Sequence, residues 1–305
     1  MRPSGYTLIF MTALISGFSI FVNKFGVQGF NPFLYAGIKN ALVAIALFSV
    51  IIAFHWRKEL AKLNQKDWRD LFIIGAVGGS VPFLLFFYGL TITTAAKAAF
   101  IHKLMFLFVA VLAFVFLKER LTRKQMAATI GLLLGLFFLI GLPRTIDEGM
   151  LLILAATVFW SIENTFAKHV LKRLNGTIVA FGRMFFGSVI ILAYLAMTGE
   201  IFLMSAFTAE HWMWTFISVA FLFAYVMTWY NGLKTVRVSE ATAILMLGSA
   251  ITAFLELSSL TPEKFLGAAI IVLSTALFVL TGVGSAAMIK KLVLLKEALY
   301  AIKRN

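Results

Sequence analysis

NKFGVQGFNPFLYAGIKN, residues 23–40, and AKHVLKRLNGTIVAFGRM, residues 167–184, decide the architecture when they are set side by side. Lys24, Asn31 and Lys39 of the first segment recur as Lys168, Asn175 and Arg183 of the second, and further on Trp68 recurs as Trp212. All four pairs are separated by the same 144 positions. Each quoted segment joins one apolar stretch of about twenty residues to the next, the length a helix needs to cross a bilayer. The stretches lie near residues 5–26, 32–54, 68–90, 95–117 and 123–141, then 148–170, 176–198, 212–233, 239–257 and 262–282. Ten crossings shared by two related halves give five each. A duplicated unit with an odd number of crossings sits upside down relative to its twin, the plan of many secondary transporters.

Composition agrees with this reading. Hydrophobic residues make up 61% of the 305 and charged residues 13%, against about 25% charged in soluble domains. The expected class is an all-α integral membrane protein, ten transmembrane helices as two inverted five-helix repeats. The repeats occupy residues 5–141 and 148–282, followed by a basic tail at 286–305. In the tail Ile289, Leu292, Leu295, Leu299 and Ile302 face away from Lys290, Lys291 and Lys303, as in an amphipathic helix lying on the inner leaflet.

The net charge of +14 does not point to nucleic acid, because the basic residues fall between the spans. With the N-terminus inside, 20 of the 27 Lys and Arg lie on the cytoplasmic side, which the positive-inside rule favours. Both termini are therefore expected in the cytoplasm and the chain in the plasma membrane. There is no cysteine, and His55, His102, His169 and His211 have no metal-ligand spacing. No phosphate loop is present, so transport would be driven by a gradient or by exchange. No cofactor is implied; the oligomeric state cannot be read.

The repeat continues with a slip. Gly89-Leu90 matches Gly232-Leu233 one residue out of step, and Leu121-Thr122 matches Leu260-Thr261 after the second half loses four residues, about one helical turn. At this point the chain resembles the drug/metabolite transporter superfamily and its EamA-type members. The residues that carry the resemblance are Phe106 through Glu119, Arg120-Leu121-Thr122, Gln125 and the Gly131–Gly135 stretch. Two departures stand out: Phe106 occupies a position that is often proline, and Ser258 stands where the second repeat would have its glutamate. The resemblance implies a central cavity lined by the first, third, fourth, sixth, eighth and ninth helices. It also implies rocking of the second and seventh, with the fifth and tenth as supports.

Ionisable groups inside spans cost about 2.5–3.5 kcal/mol each on insertion scales, so each is a candidate for pairing or function. They are Lys39, His102, Lys103, Glu163 and Arg183, with Glu256 nearer an end. Glu163 and Arg183 lie at matched depth, seven residues from the inner ends of their spans, and an ion pair between them is expected, either as a structural lock or as a gate. Their mirror positions are Ser19 and Lys39, so the first half keeps the cation and loses the carboxylate. Lys39 and Lys103, with His102 beside the latter, lie roughly 10–12 Å below the outer face. Lys39 or Lys103, assisted by His102, is expected to bind an anionic group of the substrate. The alternatives for Lys39 are snorkelling outward or pairing with Glu256.

Trp160 is one turn from Glu163 and Asn164; Tyr230 and Tyr88 lie late in the eighth and third spans. All four of Trp160, Asn164, Tyr88 and Tyr230 are candidate substrate contacts, although aromatic residues at this depth also serve simply as packing. Pro82, after Gly78-Gly79-Ser80, should kink the third span and is a candidate hinge. The expected function is secondary transport of small polar or amphipathic metabolites such as amino acids, organic acids or related anions. The other readings are an antiporter of phosphorylated metabolites and a non-transporting scaffold or lipid-handling protein. Partners would be the small-molecule substrate, a coupling proton or exchanged metabolite, and the bilayer. An enzyme is not expected, since Ser19, His102 and Glu163 are separated in chain and depth.

Overall fold

The computed structural model describes residues 3–26, 31–54, 56–143, 145–256 and 261–302, with side chains left out at 23–26, 95, 96 and 283–302. The described residues form helices and short connections, without strands. Ten helical segments are long and apolar enough to cross a membrane. Large apolar side chains cover their outer faces, among them Phe114, Phe116, Leu273 and Leu280, each more than half exposed. In water such a surface would aggregate; against lipid it is solvated. The chain is a multi-pass membrane protein.

The first repeat contains α1 (Gly5–Gly26), α2 (Pro32–Ala53), the short connector α3 (Arg57–Ala61) and a third span built in pieces. That span comprises α4 (Gln65–Ile74), a π-helical turn Gly75–Ser80 and α5 (Val81–Thr91). The fourth span is α6 (Ala95–Lys103) and α7 (Met105–Leu117), and α8 (Arg123–Ile140) is the fifth. The second repeat contains α9 (Glu148–Val170), α10 (Gly176–Thr198), a 3₁₀ segment Glu200–Ala206 and α11 (Ala209–Leu233). Its ninth span is again divided, into α12 (Val238–Leu245) and α13 (Leu247–Leu255). The last helix, α14 (Pro262–Ile302), runs on past residue 282 without interruption. The tail's expected amphipathic face rests on side chains outside the described residues.

The repeated residues have local jobs. Asn31 accepts from the N–H groups of Phe33 and Leu34 and so caps α2; Asn175 accepts from that of Thr177 and caps α10. An asparagine here satisfies donors that a helix start otherwise leaves open. Lys168 donates to the carbonyls of Leu233 and Val236, both at 2.6 Å, and ties α9 to the end of α11. The Leu-Thr words supply Thr122, in a capping box with Gln125 at the start of α8, and Thr261, whose hydroxyl accepts from the N–H of Lys264. The one-residue slip also has a physical form. From Trp68 to Gly89 there is one residue more than from Trp212 to Gly232, and a π turn absorbs one extra residue within a helix. It does so at Gly75–Ser80, while α11 is continuous.

Packing follows the repeat. The second span packs on the seventh and the fifth on the tenth. The first packs on the eighth and ninth, as the sixth packs on the third and fourth. Each of these last contacts turns into its counterpart when the halves are exchanged. The π turn lies directly on α10: a Cβ on Gly79 would come within 2.4 Å of the Arg183 carbonyl oxygen, and one on Gly187 within 2.5 Å of the Gly79 oxygen. Glycine at both positions brings the two backbones into contact.

Candidate functional site

A cavity of about 320 Å³ lies between the repeats. Its walls come from the six spans that the family resemblance implies, and Arg183 adds the seventh. The lining is built in mirror pairs. Ser19 faces it from α1 and Glu163 from α9; Ile20 and Asn164 follow one residue later. Phe86 and Phe87 of α5 correspond, with the slip included, to Trp229 and Tyr230 of α11, and these also line it. The pseudo-twofold relation between the halves therefore runs through the cavity.

The fourth and ninth spans both break at this point. α6 ends at Lys103 and α12 at Leu245, and Lys103 with its counterpart Met246 lies on the wall. Interrupted helices at corresponding positions of two repeats mark substrate sites in transporters of this plan. The break also explains how His102 and Lys103 both reach the cavity, although neighbours on a helix project about 100° apart. The His102 ring lies 5.0 Å from Trp160 and 5.5 Å from Phe86, centroid to centroid. Its buried Nδ1 has no hydrogen-bond partner. Among the described residues no carboxylate pairs with Lys103.

Beside these residues lies a hydrogen-bonded group centred on a backbone oxygen. Pro82 has no N–H to offer the carbonyl four residues back, which is that of Gly78. That oxygen accepts from Trp160 Nε1 at 3.0 Å and Arg183 Nη2 at 2.9 Å. Asn164 donates to the Trp160 carbonyl and accepts from Trp229 Nε1 at 3.0 Å. Glu163 accepts from the Tyr230 hydroxyl at 2.6 Å. Arg183 Nε stands 4.0 Å from Glu163 Oε2, without a hydrogen bond. The expected pair is thus adjacent but loose, because the guanidinium is oriented by Gly78 rather than by the carboxylate. Pro82 acts on the site through this carbonyl and follows directly on the π turn that interrupts the span.

Two of the expected contacts do not line this cavity. Tyr88 is 53% exposed and off the cavity. With the slip counted, Phe87 is the partner of Tyr230, and the next residue turns about 100° away. Lys39 is buried, but its ammonium lies 4.8 Å from the Tyr35 ring centroid and not on the cavity wall; the Tyr35 hydroxyl is bound to Ser218. Arg183, its mirror, reaches the cavity beside Gly78, where a Cβ would lie 3.1 Å from its Nε. The corresponding stretch of α11 carries Phe221-Leu222-Phe223 in place of Gly78 and Gly79.

The opposite end of the molecule from the N-terminus carries a clasp between the fourth and sixth spans. Lys97 Nζ meets Asp147 Oδ2 at 2.6 Å, Thr93 donates to the same oxygen, and Asp147 caps α9 through the N–H of Met150. The Lys97 hydrogen bond, then that of the Met150 N–H, pulls the Asp147 carboxyl down to about 2. Among the described residues no cluster of His, Asp and Glu could hold a metal ion.

The EamA-like transporter family matches residues 3–141 and 147–280. The chain belongs to that family. The uncharacterized transporter YoaV of Bacillus subtilis (strain 168) is 25% identical over 258 residues, 81% of this chain and 85% of its own length. An uncharacterized transporter of Archaeoglobus fulgidus is 24% identical, over 79% of this chain and 84% of its own. A protein of Chlamydia muridarum named as an S-adenosylmethionine/S-adenosylhomocysteine transporter is 25% identical over 213 residues, 65% of each chain. A solved crystal structure matches the fold with a TM-score of 0.73 at 17% identity, covering 92% of this chain and 98% of the other.

Within this EamA-like fold, several cavity residues lay beyond the sequence reading. Thr242 and Leu245 line the wall beside the ninth-span break, and Tyr225 lies one turn before Trp229. The turn spacing of Tyr225, Trp229 and Tyr230 was a usable signal. The Gly78 carbonyl was not, since it becomes an acceptor for two other helices only once those helices are in place.

Proposed function

We propose that this EamA-like protein is a secondary active transporter, rather than an enzyme, for small polar or amphipathic metabolites bearing an anionic group, such as amino acids and organic acids. It works by alternating access in the plasma membrane, with both termini in the cytoplasm. The observation that carries the reading is Lys103 at the helix break in the cavity, without a carboxylate partner among the described residues and next to an imidazole whose Nδ1 has no hydrogen-bond partner there. A substrate carboxylate supplies the missing partner to Lys103, and Asn164 and the surrounding rings hold the rest of the molecule. Few polar anchors in apolar walls suit a small-molecule site. The π turn and Pro82 serve as the hinge, and the loose Glu163–Arg183 contact as the gate.

The test is counterflow uptake in proteoliposomes with radiolabelled glutamate, malate and S-adenosylmethionine. The last belongs in the panel because His102, Phe86 and Trp160 form an aromatic corner with centroids 5.0–5.5 Å apart, suited to a purine ring. It is also named for the Chlamydia muridarum relative. Lys103→Gln is expected to lose carboxylate-dependent uptake and Lys103→Arg to keep part of it. Unchanged uptake of every anion by Lys103→Gln would remove the binding role.

A further inference from the structure

We propose that Glu163 is the proton-carrying group of this transporter, and that its carboxylate and the substrate's anionic group compete for one guanidinium, that of Arg183. Protonating Glu163 releases Arg183 to the anion, so that one proton and one negative charge cross together. This rests on the secondary-transport reading above and names its coupling ion.

The argument is one of unfilled hydrogen bonds. Glu163 is 2% exposed, and a buried carboxylate is held ionised only by a close cation and further donors. Among the described residues it has one donor, the Tyr230 hydroxyl on Oε1. The neighbouring cation is 4.0 Å from Oε2 and makes no hydrogen bond to it. Arg183 cannot close up freely, because its Nη2 is bound to the Gly78 carbonyl. Glycine at 78 leaves room for the carboxylate, since a Cβ there would lie 2.3 Å from Glu163 Cγ.

The groups facing Glu163 are few. From α10 there is Arg183, from α11 Tyr225 and Tyr230, and from α6 His102 and Lys103 on the same cavity. α1 presents Ser19 and α12 presents Thr242, while α5 presents aromatic rings. The other buried carboxylates near these helices are off the cavity: Glu240 takes the Tyr6 hydroxyl and Arg237, and Asp67 and Asp70 pair with Arg173.

The balance is simple. With Glu163 ionised, Arg183 is neutralised across a gap and the cavity keeps the charge of Lys103. A proton from water on one side converts the carboxylate to the acid, which keeps its bond from Tyr230. Arg183 Nε, already without a hydrogen-bond partner, then faces an anion alone. When the substrate leaves on the other side, the proton returns to water and the pair re-forms.

Two measurements test this in the full-length protein. The first is infrared difference titration of carboxyl groups in lipid, comparing wild type with Glu163→Gln. Wild type should show one additional carboxyl protonating within the physiological pH range, with its midpoint rising when malate is added. A Glu163 that stays ionised or stays protonated across that range overturns the proposal.

The second is accumulation of labelled glutamate or malate against an imposed pH gradient. With one proton per anion, a gradient of one pH unit supports up to about tenfold accumulation. Glu163→Gln should bring that ratio to about one; gradient-driven accumulation by the variant overturns the proposal. Glu163→Asp, which keeps a titratable group, guards against a folding defect in the glutamine variant. If wild type moves neither probe, the substrate class proposed above fails, and the infrared titration still decides Glu163.

Discussion

Replacing Glu119 with alanine should loosen the start of the ninth span, and the structure gives the size of the effect. Glu119 follows α7, on a chain reversal in which Lys118 adopts φ 59°. Its carboxylate accepts from the N–H groups of Val238 at 3.1 Å and Ser239 at 3.2 Å, and from the Ser239 hydroxyl at 2.6 Å. Arg237 Nε is 3.7 Å away. The residue in the capping position of α12 is Arg237, which makes no side-chain cap of its own. A glutamate from the first repeat therefore caps a helix of the second, with its side chain 10% exposed.

Hydrogen bonds to a charged group are worth about 1.5–3 kcal/mol each, and loss of a cap costs about 0.5–2 kcal/mol. Because the contacts are not additive, about 3 kcal/mol is expected for Glu119→Ala, which is on the order of 100-fold in the local opening equilibrium. Hydrogen exchange at the amides of residues 238 and 239 in nanodiscs should accelerate by that factor. Glu119→Gln, which keeps one acceptor oxygen, should fall near tenfold. Exchange within about threefold of wild type for the alanine variant would refute the capping role, because about 0.7 kcal/mol is too little for three lost contacts.

Lys103→Gln should weaken anion binding by about 10- to 150-fold, the equivalent of one charge-assisted hydrogen bond, as read from the concentration dependence of counterflow. Asp147, held down to about 2 by Lys97 and the Met150 N–H, contributes stability that is fully present above its unfolded value near 3.9 and is lost as pH falls through about 2. The melting temperature of Asp147→Asn should accordingly lie below wild type at neutral pH and converge with it as pH falls from about 4 to 2; a gap that persists at the acid end contradicts the assignment. Gly78→Ala forces Glu163 to move and should abolish transport while the protein still elutes as a folded species. Trp160→Phe, which removes the indole donor to Gly78 but keeps a ring, should reduce transport less than Trp160→Ala does, as measured by initial rates of uptake.

Much of the architecture was legible because it rests on local chemistry. Apolar length sets the spans, and the 144-residue offset sets the duplication. The repeated Asn31 and Asn175 proved to be caps, a job that asparagine does through its own chain neighbours. The Leu-Thr words likewise begin α8 and α14. The adjacency of Glu163 and Arg183 could be estimated from depth, since helix rise is constant. What was missed came from rotation and from gaps. Tyr88 was read from its similarity to Tyr230, but one residue of slip carries it out of the cavity. Lys39 was read from its mirror, Arg183, but Arg183 reaches the cavity beside Gly78 while the Lys39 ammonium lies over the Tyr35 ring.

Ten spans, their division into two inverted halves and the identity of the buried charges follow from the order of residues alone, because insertion into lipid and helix capping depend on residues close in the chain. Tertiary structure decided which of those charges meet the cavity. Where the extra residue of the third span is absorbed, which backbones approach at Gly79 and Gly187, and which donors the Gly78 oxygen accepts are all settled between helices far apart in sequence. A rotation of one residue, about 100°, changes a lipid-facing side chain into a cavity wall at no cost to hydropathy, so only packing could choose.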